Sequence, residues 1–204
     1  LLRVVLAEAG VEYDIQIQPW ARAYQGALSQ KNTLIYSLAR TADREDDFHW
    51  LGGVLALDYY LFAQAKNKIA SSLTLVELKP FRIGVVRNSA TYQYLLSQGF
   101  NNLQVVSHPQ QSISMLLSGR IDMLPANIAS FKLSCQKFEL ECTNIKPRYK
   151  LDAPSTELYF AFSKATNQSL VNRVRTAYQK VMANKSLQDF ALDDFNSHLT
   201  ETIN

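Results

Sequence analysis

Short apolar runs of strand character alternate with segments of helical period along almost the whole chain, and nothing flexible interrupts them. Strand-like stretches fall at residues 13–18, 34–38, 59–65, 81–86, 103–107, 121–124 and 158–163. Between and after them, apolar residues recur at helical spacing over 1–10, 21–30, 92–98, 110–118, 126–138, 168–183 and 187–195. Such alternation predicts an α/β fold with parallel-type sheets covered on both faces. Only 7 glycines and 6 prolines occur in 204 residues, so any boundary between folded units must be crossed by ordered strands rather than by a linker. No internal repeat and no low-complexity tract is present.

Bulk properties narrow the class. With 47% apolar residues the chain can build substantial cores, either one large domain or two small lobes. The formal charge of +3 is small and the basic residues are scattered, which speaks against a nucleic-acid partner. No apolar run approaches the roughly 20 residues that a membrane helix needs; the best stretch, 51–63, is broken by Asp58. Residues 1–10 carry Arg3 and Glu8 between apolar residues at helical spacing, which reads as a helix of the mature protein and not as a signal peptide.

Within this alternation, residues 33–53 (TLIYSLARTADREDDFHWLGG) carry the most concentrated chemistry. Leu34, Ile35 and Leu38 form a buried strand, and Thr41 stands where a helix N-cap belongs, its hydroxyl available to the first free backbone N–H groups. Arg44 then falls in the first turn, where a cation opposes the helix dipole and calls for a compensating anion. A salt bridge to Asp43, Asp46 or Asp47 is one answer, and a ligand anion is the other. Pro19, Trp20, Ala21, Arg22, Ala23 and Tyr24 form a second compact element upstream of it.

The order and spacing of these elements resemble the type 2 periplasmic solute-binding proteins, the extracellular solute-binding family 3 that includes polar amino-acid receptors. The shared pattern is a "PWxRA" element, then a small-residue strand end at Tyr36, Ser37, Leu38 and Ala39, then Thr-x-x-Arg at Thr41 and Arg44, followed by the aromatic segment with Phe48 and Trp50. The resemblance runs from Leu1 to about Phe195 and implies an α/β, two-lobed periplasmic-binding-protein type 2 fold whose lobes are joined by two crossing segments. These are expected near 57–60 and 157–160, giving lobe 1 as 1–58 plus 160–204 and lobe 2 as 59–159. The family opens with a strand and a ligand-facing loop, which the resemblance places upstream of Leu1. Residues 59–159 carry 11 Lys and Arg against 6 Asp and Glu, a balance of +5 that fits either an anionic or zwitterionic ligand or plain solvated lysines.

Two further elements follow the family pattern with departures. Asn88, Ser89, Ala90 and Thr91 occupy the strand-to-helix turn that closes on the ligand from the second lobe, with asparagine in place of the usual glycine. Free N–H groups and the positive end of the helix dipole there suit a carboxylate, while plain capping by Ser89 is the simpler reading, and both are compatible. Residues 119–127 (GRIDMLPAN) resemble the family's Gly-Arg-x-Asp-Ala strand and the turn after it. Asn127 stands where amino-acid receptors place an aspartate for the ligand's ammonium, and an amide cannot supply that charge.

The resemblance thus implies ligand contacts at Trp20, Arg22, Tyr36, Ser37, Ala39, Arg44, Ser89, Ala90, Thr91 and Asn127. These positions offer no carboxylate and no histidine, so binding without turnover is expected, with no catalytic residues and no cofactor. No Cys/His grouping has metal-ligand spacing; His49, His108 and His198 are isolated. Cys135 and Cys142 are expected as a local disulfide if the protein is exported, with two buried thiols as the alternative. The implied partners are a small-molecule solute and a membrane transporter permease or a signalling partner, for a monomer in the periplasm. The alternatives are a ligand-sensing domain of a membrane signalling protein and a cleft dehydratase or hydrolase on the same fold.

Overall fold

Apolar residues spaced for a helix open the chain as α1 (Leu2–Glu8), which buries Val5 and Leu6. The structure is a computed structural model and describes residues 1–67, 69–70, 72–152 and 157–184. Contacts divide the chain into two units. The first takes Leu1–Ile17, Gly26–Ala56 and the described residues from Glu157 onward; the second takes Gln18–Gln25 and the described part of 57–156.

In the first unit, β8 (Glu157–Ser163) is the central strand of a three-stranded sheet, flanked by β1 (Leu34–Ala39) and β2 (Phe48–Ala56), and both pairings are antiparallel. Helix α6 (Gln168–Asn184) lays Val171, Val174, Ala177 and Val181 against Val5, Leu6, Ala9 and Phe162, which removes the apolar stripes of both helices from water. Gly52 is required at its place because an added Cβ would lie 2.0 Å from the Tyr178 ring. The Tyr178 hydroxyl uses that close approach to donate to the Gly53 carbonyl at 2.6 Å.

In the second unit, β3 (Tyr59–Gln64) is central between β6 (Leu124–Asn127) and β7 (Ile145–Lys150), again antiparallel. β4 (Ile83–Val86) and β5 (Leu103–Val106) form the one parallel pair among the described strands. A single bridge from Ile83 to Met123 links this pair to the chain entering β6. Helices α3 (Ala90–Ser97), α4 (Pro109–Leu117) and α5 (Ile128–Lys137) follow the C-terminal ends of β4, β5 and β6. The core runs through Leu61, Ile83, Val85, Leu95, Phe100 and Met123, with a second cluster of Phe62, Ile113, Leu116, Ile121 and Phe131. Asp122 fixes the start of β4: its Oδ2 accepts from the Arg82 backbone N–H at 2.9 Å and its Oδ1 from the Arg82 guanidinium at 2.8 Å. The Arg82 hydrogen bond holds the Asp122 carboxyl below its usual range.

Several expectations are corrected. Most pairings are antiparallel, because β3 and β8 each sit between two strands running against them. Residues 13–18 form no strand: the alternation of Ile15 and Ile17 is real, but no ladder partner among the described residues meets it, and Ile17 is 99% exposed. The strand expected at 121–124 lies three residues later, since Ile121 and Met123 are buried core residues while the pairing with β3 runs through Leu124–Asn127. β7 (IKPRYK) was not anticipated from the sequence; its charges and Pro147 hide the pattern, and among the described strands it pairs with β3 alone, an edge position that tolerates proline. The helix expected at 187–195 lies outside the described residues.

Cys135, near the end of α5, is joined to Cys142, with Cα atoms 6.2 Å apart. The bridge closes the loop that turns α5 back into β7. Replacing both cysteines with serine is expected to lower unfolding stability by about 2–3 kcal/mol through the freedom returned to the unfolded chain. Denaturant titration of the oxidised protein against this double variant measures it, and equal midpoints would show that the loop is held by its other contacts.

Candidate functional site

The strand-to-helix turn after β4 begins with a left-handed residue, Asn88 at φ +60°, a conformation that asparagine tolerates better than most side chains. Its carbonyl accepts the indole N–H of Trp20 at 3.0 Å. Trp20 opens α2 (Trp20–Ser29) and stacks on Tyr24 with centroids 6.1 Å apart, so the turn and the tryptophan fix each other. Ser89 then caps α3, its Oγ accepting from Tyr92 N–H at 3.1 Å and lying 3.1 Å from the Thr91 hydroxyl. This cap occupies the third N–H of the helix, and the N–H groups of Ala90 and Thr91 belong to the first turn, which no helical carbonyl reaches.

Asn127 performs the equivalent task for α5. Its Oδ1 accepts from Ala129 N–H at 2.9 Å and Ser130 N–H at 3.3 Å, while its Nδ2 donates to the Asp58 carbonyl at 3.2 Å. The amide oxygen thus serves the helix cap.

The first turns of α3, α4 and α5 meet around one cavity of about 280 Å³ within the second unit. Ala90 and Thr91 line it from α3, Pro109 and Ser112 from α4, and Asn127 and Ser130 from α5. Trp20 and Tyr59 supply aromatic walls, and Ile113, Leu124 and Phe131 an apolar floor. Among the described residues, no charged side chain lines it. Burial pushes the Tyr59 phenol above its ordinary value, so it too stays neutral. Three positive helix ends around an uncharged, largely apolar hollow suit an anionic or strongly dipolar group presented to backbone N–H donors. A larger cavity of about 600 Å³ lies beside the disulfide, but Lys132, Lys146, Glu139 and Glu141 surround it with both signs of charge and only α5 among the helices borders it.

Of the residues expected from the sequence, Trp20, Ser89, Ala90, Thr91 and Asn127 are thus brought together. Arg22 is exposed on α2 and does not line the cavity. The remaining four cluster in the first unit around the end of β1. The ladder with β8 slips between Ile35 and Leu38, and Ser37 takes φ +63°, which turns out a bulge carrying Tyr36, 55% exposed. Next to it, Arg40 lies over the rings of Trp50 and Tyr159, 5.3 and 5.6 Å from their centroids, and pairs with Glu45. Ala39 is buried and its carbonyl accepts from Arg44 Nη1 at 3.2 Å.

Arg44 differs most from expectation. Residues Ala42–Asp47 form a 3₁₀ turn in which the Thr41 carbonyl, not its hydroxyl, receives the Arg44 N–H at 3.0 Å. The Arg44 side chain is fully buried. It approaches the Ala39 carbonyl from a 3₁₀ turn rather than from the first turn of an α-helix. Tyr59, Ser112 and Ser130 were missed by the sequence reading; the available signal was a serine within the apolar stripe of α4, at Ser112 beside Ile113 and Leu116.

No protein-family model matches the sequence, and no curated protein matches it. Solved structures do. A histidine kinase sensor domain with similarity to periplasmic binding proteins has TM-score 0.81 at 14% identity, over 94% of this chain and 82% of that one. The arginine-, lysine-, histidine-binding protein ArtJ of Geobacillus stearothermophilus has TM-score 0.75 at 15% identity, over 92% and 80%. AbpA of Streptococcus pneumoniae, an amino acid ABC transporter substrate-binding protein bound to L-arginine, has TM-score 0.73 at 18% identity, over 95% and 81%. The chain has the α/β fold of the two-lobed periplasmic binding proteins.

Replacing Arg44 with alanine is expected to cost about 2–3 kcal/mol of stability, as a buried charge-assisted hydrogen bond is lost together with side-chain packing. Urea unfolding of the ligand-free protein measures this. An unchanged midpoint would return Arg44 to the role of a ligand cation.

Proposed function

We propose that this protein is an extracytoplasmic solute-binding protein that captures a small polar, carboxylate-bearing, amino-acid-like solute for an ABC-type transporter. The observation that carries the reading is the convergence of three helix first turns on one uncharged cavity. The N–H groups of Ala90 and Thr91 hold the solute's carboxylate, and Trp20 and Tyr59 wall its apolar part. Tyr36 and Ser37, turned out by their bulge, are the contacts assigned to the first unit, with Ala39 and Arg44 fixing the bulge from behind. Asn127 shapes the cavity through the α5 cap instead of pairing with an ammonium.

Among the described residues, the cavity lining holds no carboxylate, no histidine and no nucleophile beside a base, which supports binding without turnover. The fold likeness to substrate-binding proteins of amino-acid transporters supports an extracytoplasmic location and a permease partner, and the reading takes the protein as a monomer. A second reading, a ligand-sensing domain of a membrane signalling protein, is favoured by the likeness to a kinase sensor domain. The two share every cavity residue and separate on whether the full gene encodes a membrane span with a kinase or cyclase domain.

A thermal-shift screen of free amino acids and small carboxylic acids tests the function directly. A solute at about 100 times its dissociation constant stabilises the fold by roughly 2.7 kcal/mol. Closure on the solute is expected to lower the radius of gyration in small-angle scattering at saturation. A stabilising solute that leaves the radius unchanged would argue against closure, and no stabilising solute would argue against the reading as a whole.

A further inference from the structure

We infer that the cavity of the second unit selects carboxylates whose body beyond the carboxylate is apolar, and that Val86 is among the residues that read it. This rests on the solute-binding reading above and names the chemistry of the solute's other end.

The polar side chains of the lining are largely spent on the protein itself. Ser89 Oγ accepts from Tyr92 N–H and meets the Thr91 hydroxyl, each at 3.1 Å. Ser130 Oγ donates to the Asn127 carbonyl at 3.1 Å, and the Asn127 carboxamide is bonded through both its oxygen and its nitrogen. The Trp20 indole N–H is held by the Asn88 carbonyl. Ser112 is 3% exposed, with its Oγ buried beside Gly84, so it presents no hydroxyl to a guest. Among the described residues this leaves Ser134 and the Tyr59 phenol as the side-chain groups of the lining not so engaged.

The surface that a guest meets is mostly apolar. Trp20, Tyr59, Val86, Pro109, Pro125 and Ala126 all border the cavity, and each keeps accessible surface. They come from α2, β3, β4, α4 and β6, so the apolar surface wraps the hollow instead of forming one patch. A polar group pressed against these walls gives up its water and gains no hydrogen bond in return. A methylene buried there tightens binding about fourfold. With the carboxylate on the Ala90 and Thr91 N–H groups, backbone reads one end of the solute and apolar side chains read the other. The volume of about 280 Å³ suits a body of amino-acid size.

The test is calorimetric titration of the wild-type protein and Val86→Thr with L-alanine, L-2-aminobutyrate and L-norvaline, with the isosteric pair L-leucine and L-asparagine, and with L-arginine and L-glutamate. Affinity is expected to rise about fourfold with each methylene from alanine to norvaline. Leucine is expected to bind more tightly than asparagine, arginine and glutamate. Val86→Thr keeps the shape of the side chain but puts a hydroxyl into the wall, and should weaken leucine about tenfold. The wild-type series stands apart from any effect of the variant on folding, which thermal unfolding of the ligand-free variant measures. A flat alanine-to-norvaline series would leave the solute-binding reading standing and overturn this inference. So would tightest binding by asparagine, arginine or glutamate, or an unchanged affinity for leucine in a folded Val86→Thr. Binding by none of the seven would overturn both.

Discussion

One side chain ties the candidate site to the sheet beneath it. Asn127 caps α5 through its oxygen and holds the Asp58 carbonyl through its nitrogen, so the first turn of the helix is fastened to the chain just before β3. The ladder repeats the constraint, since Asn127 pairs with Tyr59 in the β3–β6 register. An N-cap of this kind is typically worth about 1 kcal/mol. Its greater consequence is positional: it sets where the Ser130 face of α5 stands relative to Tyr59, and both border the cavity. The Trp20 indole bonded to the Asn88 carbonyl does the same for α3. Backbone N–H groups become a binding surface only when the strands and caps around them hold them still, which is the preorganisation that limits the entropic cost of capture.

The first unit applies a similar logic with different means. A left-handed Ser37 interrupts the β1–β8 ladder, and bulges of this kind re-aim side chains beside functional sites. Behind it, Arg44 is buried against the Ala39 carbonyl, and Arg40 is held between Trp50, Tyr159 and Glu45. The two arginines, four residues apart, have opposite surroundings, and nothing in the residue spacing alone distinguishes them.

How much of this was legible follows from which signal each feature depends on. The helix after β4 was readable because Ser89 and Gly99 punctuate it, and the structure places the cap and a φ of +78° there. The α/β two-lobed fold was readable from the order of motifs. The strand direction was not, because alternation along the chain says nothing about which distant strand lies alongside. Residues 13–18 show the same limit: period-2 alternation describes a strand's faces, while a strand exists only where a partner accepts its hydrogen bonds. The setting of Arg44 was not legible, because a turn that is 3₁₀ rather than α-helical, and a capping carbonyl rather than a hydroxyl, leave no trace in TADREDD. Ser112 was missed because a serine looks the same in sequence whether it faces water or the interior.

The central claim is that solute enters the cavity of the second unit, against Trp20. The chain has two tryptophans, so Trp50→Phe leaves Trp20 as the only indole fluorophore. Titrating that variant with a solute that stabilises the protein is the most direct measurement. The account predicts a saturable shift in Trp20 emission with the dissociation constant found by calorimetry. Unchanged emission at saturation would contradict it and place the solute elsewhere.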